Sequence, residues 1–249
     1  KADFDYFQSS QQTIKAGIQV THYGLAPGTL QSLGSSSIVI PDKLAPEQGL
    51  ETAFHVGDNL DITPQLTIYG GIRYSLYQYL GPGDVFNYAQ GTSRTENSII
   101  DTASYSSRKA ISTYHGAEPR FSLRYLTGKK SSVKISYTRM RQYIQMLSNT
   151  IAIAPTDTWK LSDPYIKPQI GDQYSIGYYR NLRGGSIEFS AESYYKTMEH
   201  SLDFKEGGVL LMNHHIETDV LDVNGKAYGI EFMMRKPAGK LNGWISYTY

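Results

Sequence analysis

A few histidines and carboxylates of this chain lie close together in the sequence, but their spacings fit neither a metal site nor acid–base catalysis. His214 and His215 are adjacent, so their side chains point in different directions, and no third ligand follows at a suitable spacing. Glu188 and Glu192 share one face of an extended segment, but their spacing does not identify the paired carboxylates of a glycosidase. The glycines around Gly81 lack the strand and helix of a phosphate loop, and no serine stands in a nucleophile-elbow motif. The sequence therefore predicts neither an enzyme, nor a metal site, nor a bound cofactor.

Aromatic and cationic side chains are better candidates for binding a ligand. Aromatic rings next to polar groups suit sugars and aromatic chelates, and arginines attract anionic ligands. The residues predicted to contact a ligand are Tyr77, Phe86, Tyr88, Trp159, Tyr165, Arg73, Arg120 and Arg124. Other uses remain open: Tyr77 and Trp159 suit the aromatic girdle of a membrane interface, and the arginines could pair with Glu118 or with another domain.

Composition excludes several classes of protein. The formal net charge of the 249 residues is +1, which argues against a nucleic-acid-binding surface. There is no cysteine, so a disulfide scaffold and a thiolate metal site are excluded. Tyrosine occurs 21 times, and its apolar ring with a polar end suits strands and membrane interfaces. No apolar run approaches the roughly 18 residues of a transmembrane helix.

The elements that position these side chains follow a period of two. In residues 66–79, Ile68 and Ile72 fall on one face and Arg73 falls on the other. Such alternation is typical of strands, because successive side chains point to opposite sides of a sheet. The apolar faces lack charged residues at their central positions. Pro119 interrupts one such segment, so we expect it in the upper portion of its strand, at a β-bulge.

Short and long connections alternate along the chain. The short connections are at residues 8–12, 61–65, 127–131, 180–185 and 236–240, and the long ones are at residues 24–49, 81–109, 149–170 and 204–224. The long loops far exceed the ordinary median of about 4–6 residues. This alternation is typical of outer-membrane barrels, in which short turns face the periplasm and long loops face outside.

These features together predict an all-β fold, an antiparallel transmembrane β-barrel. A bilayer offers no water to backbone N–H and C=O groups, so β-structure spans it only as a closed barrel. One strand face then contacts lipid and the other lines a wet lumen. A soluble all-β binding module such as a lectin, and a complete small barrel acting as a passive pore or adhesin, are the alternatives.

Several segments resemble the barrel of TonB-dependent receptors. They are residues 49–54 (GLETAF), 62–66 (ITPQL), 71–77 (GIRYSLY), 118–125 (EPRFSLRY), 167–178 (KPQIGDQYSIGY), 225–232 (GKAYGIEF) and 243–249 (GWISYTY). The resemblance implies a barrel of about 22 strands, plugged by an N-terminal domain and energised by the TonB–ExbB–ExbD complex. It implies uptake of a scarce iron chelate, cobalamin, glycan or peptide.

About nine or ten strands are recognisable from the pattern, fewer than half the number that the resemblance implies. We therefore expect residues 1–249 to form part of the barrel wall, with the plug domain and the C-terminal closing strands outside this sequence. The expected location is the bacterial outer membrane, crossed several times. The expected partners are the lipid bilayer, TonB–ExbB–ExbD, a surface-exposed lipoprotein, and a small-molecule, glycan or peptide ligand, but no nucleic acid.

Overall fold

A computed structural model describes residues 1–34, 36–147 and 158–249, and nearly all of its regular structure is β-strand. The strands are β1 (Ala2–Ser9), β2 (Gln12–Leu25), β3 (Thr29–Leu30), β4 (Asp42–Lys43), β5 (Glu47–Thr63), β6 (Leu66–Leu80), β7 (Gly83–Tyr88), β8 (Ile99–Tyr105), β9 (Ala110–Gly128), β10 (Ser131–Gln142), β11 (Ile144–Leu147), β12 (Thr158–Leu161), β13 (Gln169–Leu182), β14 (Ile187–Phe204), β15 (Val220–Lys236) and β16 (Gly243–Thr248). The described residues also contain three single-turn 3-10 helices, and none of these helices is long or apolar enough to cross a membrane.

Ten of the strands form one continuous antiparallel sheet in the order β1-β2-β5-β6-β9-β10-β13-β14-β15-β16. Each long strand pairs with the next one along the chain, which is the connectivity of an up-and-down barrel wall. The predicted all-β, antiparallel architecture and the number of strands are confirmed. The six short strands make three separate hairpins, β3–β4, β7–β8 and β11–β12, each inside a long loop. These hairpins were not predicted, and residues 148–157 of the third loop lie outside the described residues.

The strand register places the apolar and the polar side chains on opposite faces of the sheet, as the alternation predicted. Ile135 pairs with Ile176, and these side chains remain 46% and 52% exposed. On the other face, the hydroxyls of Ser136 and Ser175 lie 2.6 Å apart in a hydrogen bond. A wide apolar face that the sheet leaves uncovered fits contact with lipid, and the polar face fits a lumen.

The prediction of a bulge at Pro119 is wrong. The proline instead ends the pairing of β9 with one of its neighbours. After one register shift at Ser131 beside the turn, the pairing of β9 with β10 runs regularly from Ser132 to Thr138, which pairs with Arg120, and it ends there, next to Pro119. On the other side of β9, Leu126 donates its N–H to the carbonyl of Gln65. Since N–H groups along a strand alternate in direction, the nitrogen of Pro119 faces β10. Because proline has no N–H to donate, the ladder stops at this position.

Two long loops share a small apolar core above the sheet. Leu147, in the loop between β10 and β13, packs with Ile166 of the same loop and with Ile216 of the loop between β14 and β15. Each of these three side chains is less than one-tenth exposed. The end of β14 adds Phe204 to the same cluster. The loops therefore form a packed layer at the end of the sheet opposite the short turns.

Candidate ligand-binding site

Arg73 lies at the centre of a charged cluster on the inner face of β5, β6 and β9. Its guanidinium contacts the carboxylates of Glu51 and Glu118. The hydroxyl of Ser75 donates to Glu118 over 2.7 Å, and that of Tyr23 donates to Glu51 over 2.6 Å. Glu51 and Glu118 are 7% and 2% exposed, so both carboxylates of the cluster are buried. Arg73 therefore stabilises the wall beneath the loops, in the pairing with Glu118 that the sequence had left open.

Tyr77 joins the wall to the loop that follows β10. Its ring is fully buried and stacks on Tyr143, with 4.6 Å between centroids. Its hydroxyl donates to the carbonyl of Ser162 over 3.1 Å, and the hydroxyls of Tyr143 and Ser75 are 2.7 Å apart. Gly49 leaves room for this ring, because a Cβ there would lie 2.9 Å from it. The structure thus places Tyr77 in internal packing, away from solvent.

Lys160 of β12 connects the same loop to the start of β5 through an ion pair. Its ammonium lies 2.6 Å from Glu47 and 2.8 Å from Asp163, and it sits 5.5 Å from the centroid of the Tyr79 ring. The backbone N–H of Leu161 donates to the second oxygen of Glu47 over 2.9 Å. Burial works to lower the pKa of Lys160, but the carboxylates of Asp163 and Glu47 outweigh it and hold the pKa well above its usual value.

The remaining aromatic candidates meet where three loops converge. Tyr165 donates its hydroxyl to the carbonyl of Phe86, and its ring meets that of Tyr88 edge-on at 5.5 Å. The hydroxyl of Tyr88 donates to Glu217 over 2.6 Å. Burial and the Glu217 carboxylate raise the pKa of Tyr88 above its usual value. Phe86 also packs against His215, with 4.6 Å between the ring centroids.

These loops enclose a cavity of about 280 Å³. Its lining includes Glu47, Tyr79, Phe86, Trp159, Lys160, Asp163, Tyr165, His214, Ile216 and Glu217. Three of the predicted ligand residues, Phe86, Trp159 and Tyr165, thus come together on one cavity, and Tyr88 contacts two of its lining residues. A concavity that combines aromatic rings with a few polar groups is a usual form of small-molecule site.

Arg120 and Arg124 lie apart from this cavity, further along the inner face of β9 towards the short turns. Arg120 pairs with Gly71, and Arg124 pairs with Lys134 of β10. Both arginines are exposed, and within residues 1–34, 36–147 and 158–249 neither makes an ion pair. They give the lumen a local positive charge, whereas the charge of Arg73 is neutralised.

Sequence patterns did not indicate Glu47, Lys160, Asp163 or Glu217 as parts of one site. These residues come from three separate segments, and only the folding of the loops brings them together. His214 bonds to Asp42 at 3.0 Å, and no cluster of metal ligands occurs in the described part of the chain.

Residues 2–249 match the family model described as TonB dependent receptor-like, beta-barrel. The FrpB iron transporter from Neisseria meningitidis (F3-3 variant) aligns at 16% identity and a TM-score of 0.61 over 99% of this chain and 34% of that one. A second similar structure is a double mutant of the Serratia marcescens hemophore receptor HasR in complex with its hemophore HasA and heme. It aligns at 12% identity and a TM-score of 0.58 over 99% of this chain and 40% of that one. The copper transporter OprC aligns at 9% identity and a TM-score of 0.59 over 97% of this chain and 36% of that one.

The chain therefore spans between 34% and 40% of the length of these three proteins. At such identities the likeness shows the shared fold alone. The comparison with curated proteins gave no match.

Proposed function

The chain belongs to the TonB-dependent receptor β-barrel family, and on that premise we propose that it forms part of the wall and outer mouth of an importer for a scarce nutrient. Members of this family are outer-membrane transporters and not enzymes. The complete protein would carry its cargo across the outer membrane of a bacterium. The energy would come from the TonB–ExbB–ExbD complex, acting through a plug domain.

One observation carries this proposal: the ten-stranded sheet has one apolar, uncovered face and one polar face along its length. Phe54, Ile72 and Ile176 on the apolar face are 58%, 46% and 52% exposed. A soluble protein would bury such a continuous face against a second layer, whereas a lipid bilayer covers it without further protein.

The loop cavity is the proposed point of first contact with the cargo. The long loops lie at the end of the sheet opposite the short turns, which is the outer end in barrels of this class. The aromatic side chains of Phe86, Trp159 and Tyr165 line the cavity and give flat surfaces for a sugar, a haem-like ring or an aromatic chelate. Arg120 and Arg124 lie deeper along the lumen and would attract an anionic cargo after it leaves the mouth.

Expression of the full-length protein with its signal sequence in a Gram-negative host tests this proposal. We expect the protein in the outer-membrane fraction, with a gel mobility that changes on boiling because a closed barrel resists unfolding by detergent. Cells would take up the cargo only with an intact TonB and a proton gradient. Recovery in the soluble fraction with unchanged mobility would contradict the membrane assignment. Uptake that continues without TonB would contradict energised import and indicate a passive pore.

A further inference from the structure

Glu217 is a buried carboxylate with little to balance its charge. It is 9% exposed and lines the loop cavity, and the neutral hydroxyl of Tyr88 donates to one of its oxygens over 2.6 Å. No lysine, arginine or histidine in the described ranges lies within ion-pair distance of it. Removing a carboxylate from water without a counter-ion is unfavourable, so a cation entering the cavity would be stabilised there.

Of the other charged groups that line the cavity, Asp84 is exposed and accepts a hydrogen bond from the hydroxyl of Ser104, and the rest are paired. Lys160 contacts both Glu47 and Asp163, so this trio carries a net negative charge with its single cation fully engaged. His214 hydrogen-bonds to Asp42, at the rim of the loop layer. The local field inside the cavity is therefore negative. An anionic group would be repelled by it, and a cationic group attracted.

The aromatic lining favours the same kind of ligand. Phe86, Trp159 and Tyr165 line the cavity, and the face of an aromatic ring attracts a cation through its quadrupole. Tyr165 already makes one such contact, because the guanidinium of Arg94 lies 5.0 Å from its centroid. Arg94 itself is exposed and remains outside ion-pair distance of Glu217.

We propose that this cavity is a subsite for an organic cation, an ammonium or guanidinium group of the cargo, with Glu217 as its counter-ion. The inference rests on the proposed function, since it names the chemistry of one end of the cargo that the mouth would bind. It divides recognition in two: a positively charged end of the cargo enters the loop cavity, and anionic parts meet Arg120 and Arg124 in the lumen.

Three probes of nearly the same shape test the proposal: benzylammonium, benzyl alcohol and benzoate. Binding to the full-length protein in detergent is measured by calorimetry or by ligand-observed NMR. We expect benzylammonium to bind about tenfold more tightly than benzyl alcohol, because a hydrogen bond to a charged group is worth more than a neutral one, and benzoate not to bind. Equal binding of all three, tighter binding of benzoate, or no binding of benzylammonium would overturn the proposal.

The Glu217→Gln variant locates the effect. Glutamine keeps an oxygen that can accept the hydroxyl of Tyr88, so the loop contact is retained while the charge is removed. We expect the preference for benzylammonium over benzyl alcohol to disappear. Glu206→Gln, at an exposed carboxylate of the same loop, is the matched control and should keep the preference. An unchanged preference in Glu217→Gln would overturn the assignment of Glu217.

These measurements need neither TonB nor a membrane gradient, so their outcome is independent of energised uptake. If uptake proves to be passive, the three probes still report on the cavity. If the probes show no charge preference, uptake through TonB remains testable with cells.

Discussion

The ring of Tyr77 lies almost parallel to that of Tyr143, with 6° between the planes and 4.6 Å between the centroids. Tyr77 belongs to strand β6 of the wall, and Tyr143 begins the loop between β10 and β13. This stacked pair is therefore a joint between a spanning strand and the layer that forms the cavity. The hydroxyl of Tyr77 extends the joint to Ser162 of the same loop.

Tyr77→Ala should release this loop from the wall. Truncating a fully buried aromatic side chain costs about 3–5 kcal/mol, and the loop contacts depend on the stacked ring. We expect faster cleavage within residues 143–147 and 158–168 by protease in the detergent-solubilised protein, with the heat-modifiable barrel retained. Tyr77→Phe keeps the stacking and loses one hydrogen bond, so it should cost only about 0.5–1.5 kcal/mol.

Tyr125→Ala is the matched control, because Tyr125 is 49% exposed on the outer face and does not contact the loop. It should leave the cleavage within residues 143–147 and 158–168 unchanged. Equal cleavage of the Tyr77→Ala variant and the unmodified protein would show that the joint does not hold the loop.

Gly49→Ala tests the close approach of the wall to the Tyr77 ring. The added Cβ would lie 2.9 Å from this ring, which is held in place by Tyr143 and Ser162 and cannot move aside freely. Overpacking of this kind costs about 1–3 kcal/mol, so the temperature at which the loop becomes protease-sensitive should fall. Gly24→Ala is the control, since a Cβ there meets nothing within 4 Å. Equal effects of the two substitutions would contradict the described packing.

Lys160→Met should open the cavity wall between the loop and β5. The substitution leaves Glu47 and Asp163 buried side by side without their cation, and breaking such a buried pair costs about 3–5 kcal/mol. We expect loss of loop protection from protease. Lys43→Met, at an exposed lysine of the first long loop, should leave the protection unchanged. Retained protection in Lys160→Met would show that the ion pairs contribute little.

The pH dependence of the loop follows from the same lysine. The pKa of Lys160 is higher in the folded protein than in the unfolded chain, where it is about 10.4. Its stabilising contribution is therefore fully present below the unfolded pKa and is lost only as the pH rises through the folded pKa. Loop protection should persist from neutral pH to about pH 10 and decline above it. A decline between pH 7 and pH 9 would show that another group controls the loop.

The barrel strands were predictable from the sequence because one constraint acts on every residue of a spanning strand. Lipid on one side and water on the other impose a period of two, so Ile135 and Ser136 could be assigned to opposite faces without knowing their partners. The same constraint explains why short turns and long loops alternate. Pro119 shows the limit of this constraint. The sequence identified the residue as unsuited to a strand interior, but the end of the β9–β10 pairing depended on which neighbouring strand its nitrogen faces.

The loop cavity was predictable only in part. Phe86, Trp159 and Tyr165 were recognised as aromatic residues in long loops, and their types suggested binding. The pairing of Tyr88 with Glu217 joins residues 129 positions apart, and no local pattern specifies such a contact. Tyr77 is the opposite case. Its residue type suits ligand binding, but in the structure its side chain packs a loop against the wall.

The central claim is that the apolar face of the sheet contacts lipid while the polar face lines an aqueous lumen. This chain contains no cysteine, so single cysteines at Ile135, Ser136, Ser175 and Ile176 can be compared directly in the full-length protein in membranes. We expect a membrane-impermeant, water-soluble maleimide to label Ser136→Cys and Ser175→Cys, and a lipid-soluble one to label Ile135→Cys and Ile176→Cys. Equal labelling of all four positions by the water-soluble reagent would contradict a transmembrane wall.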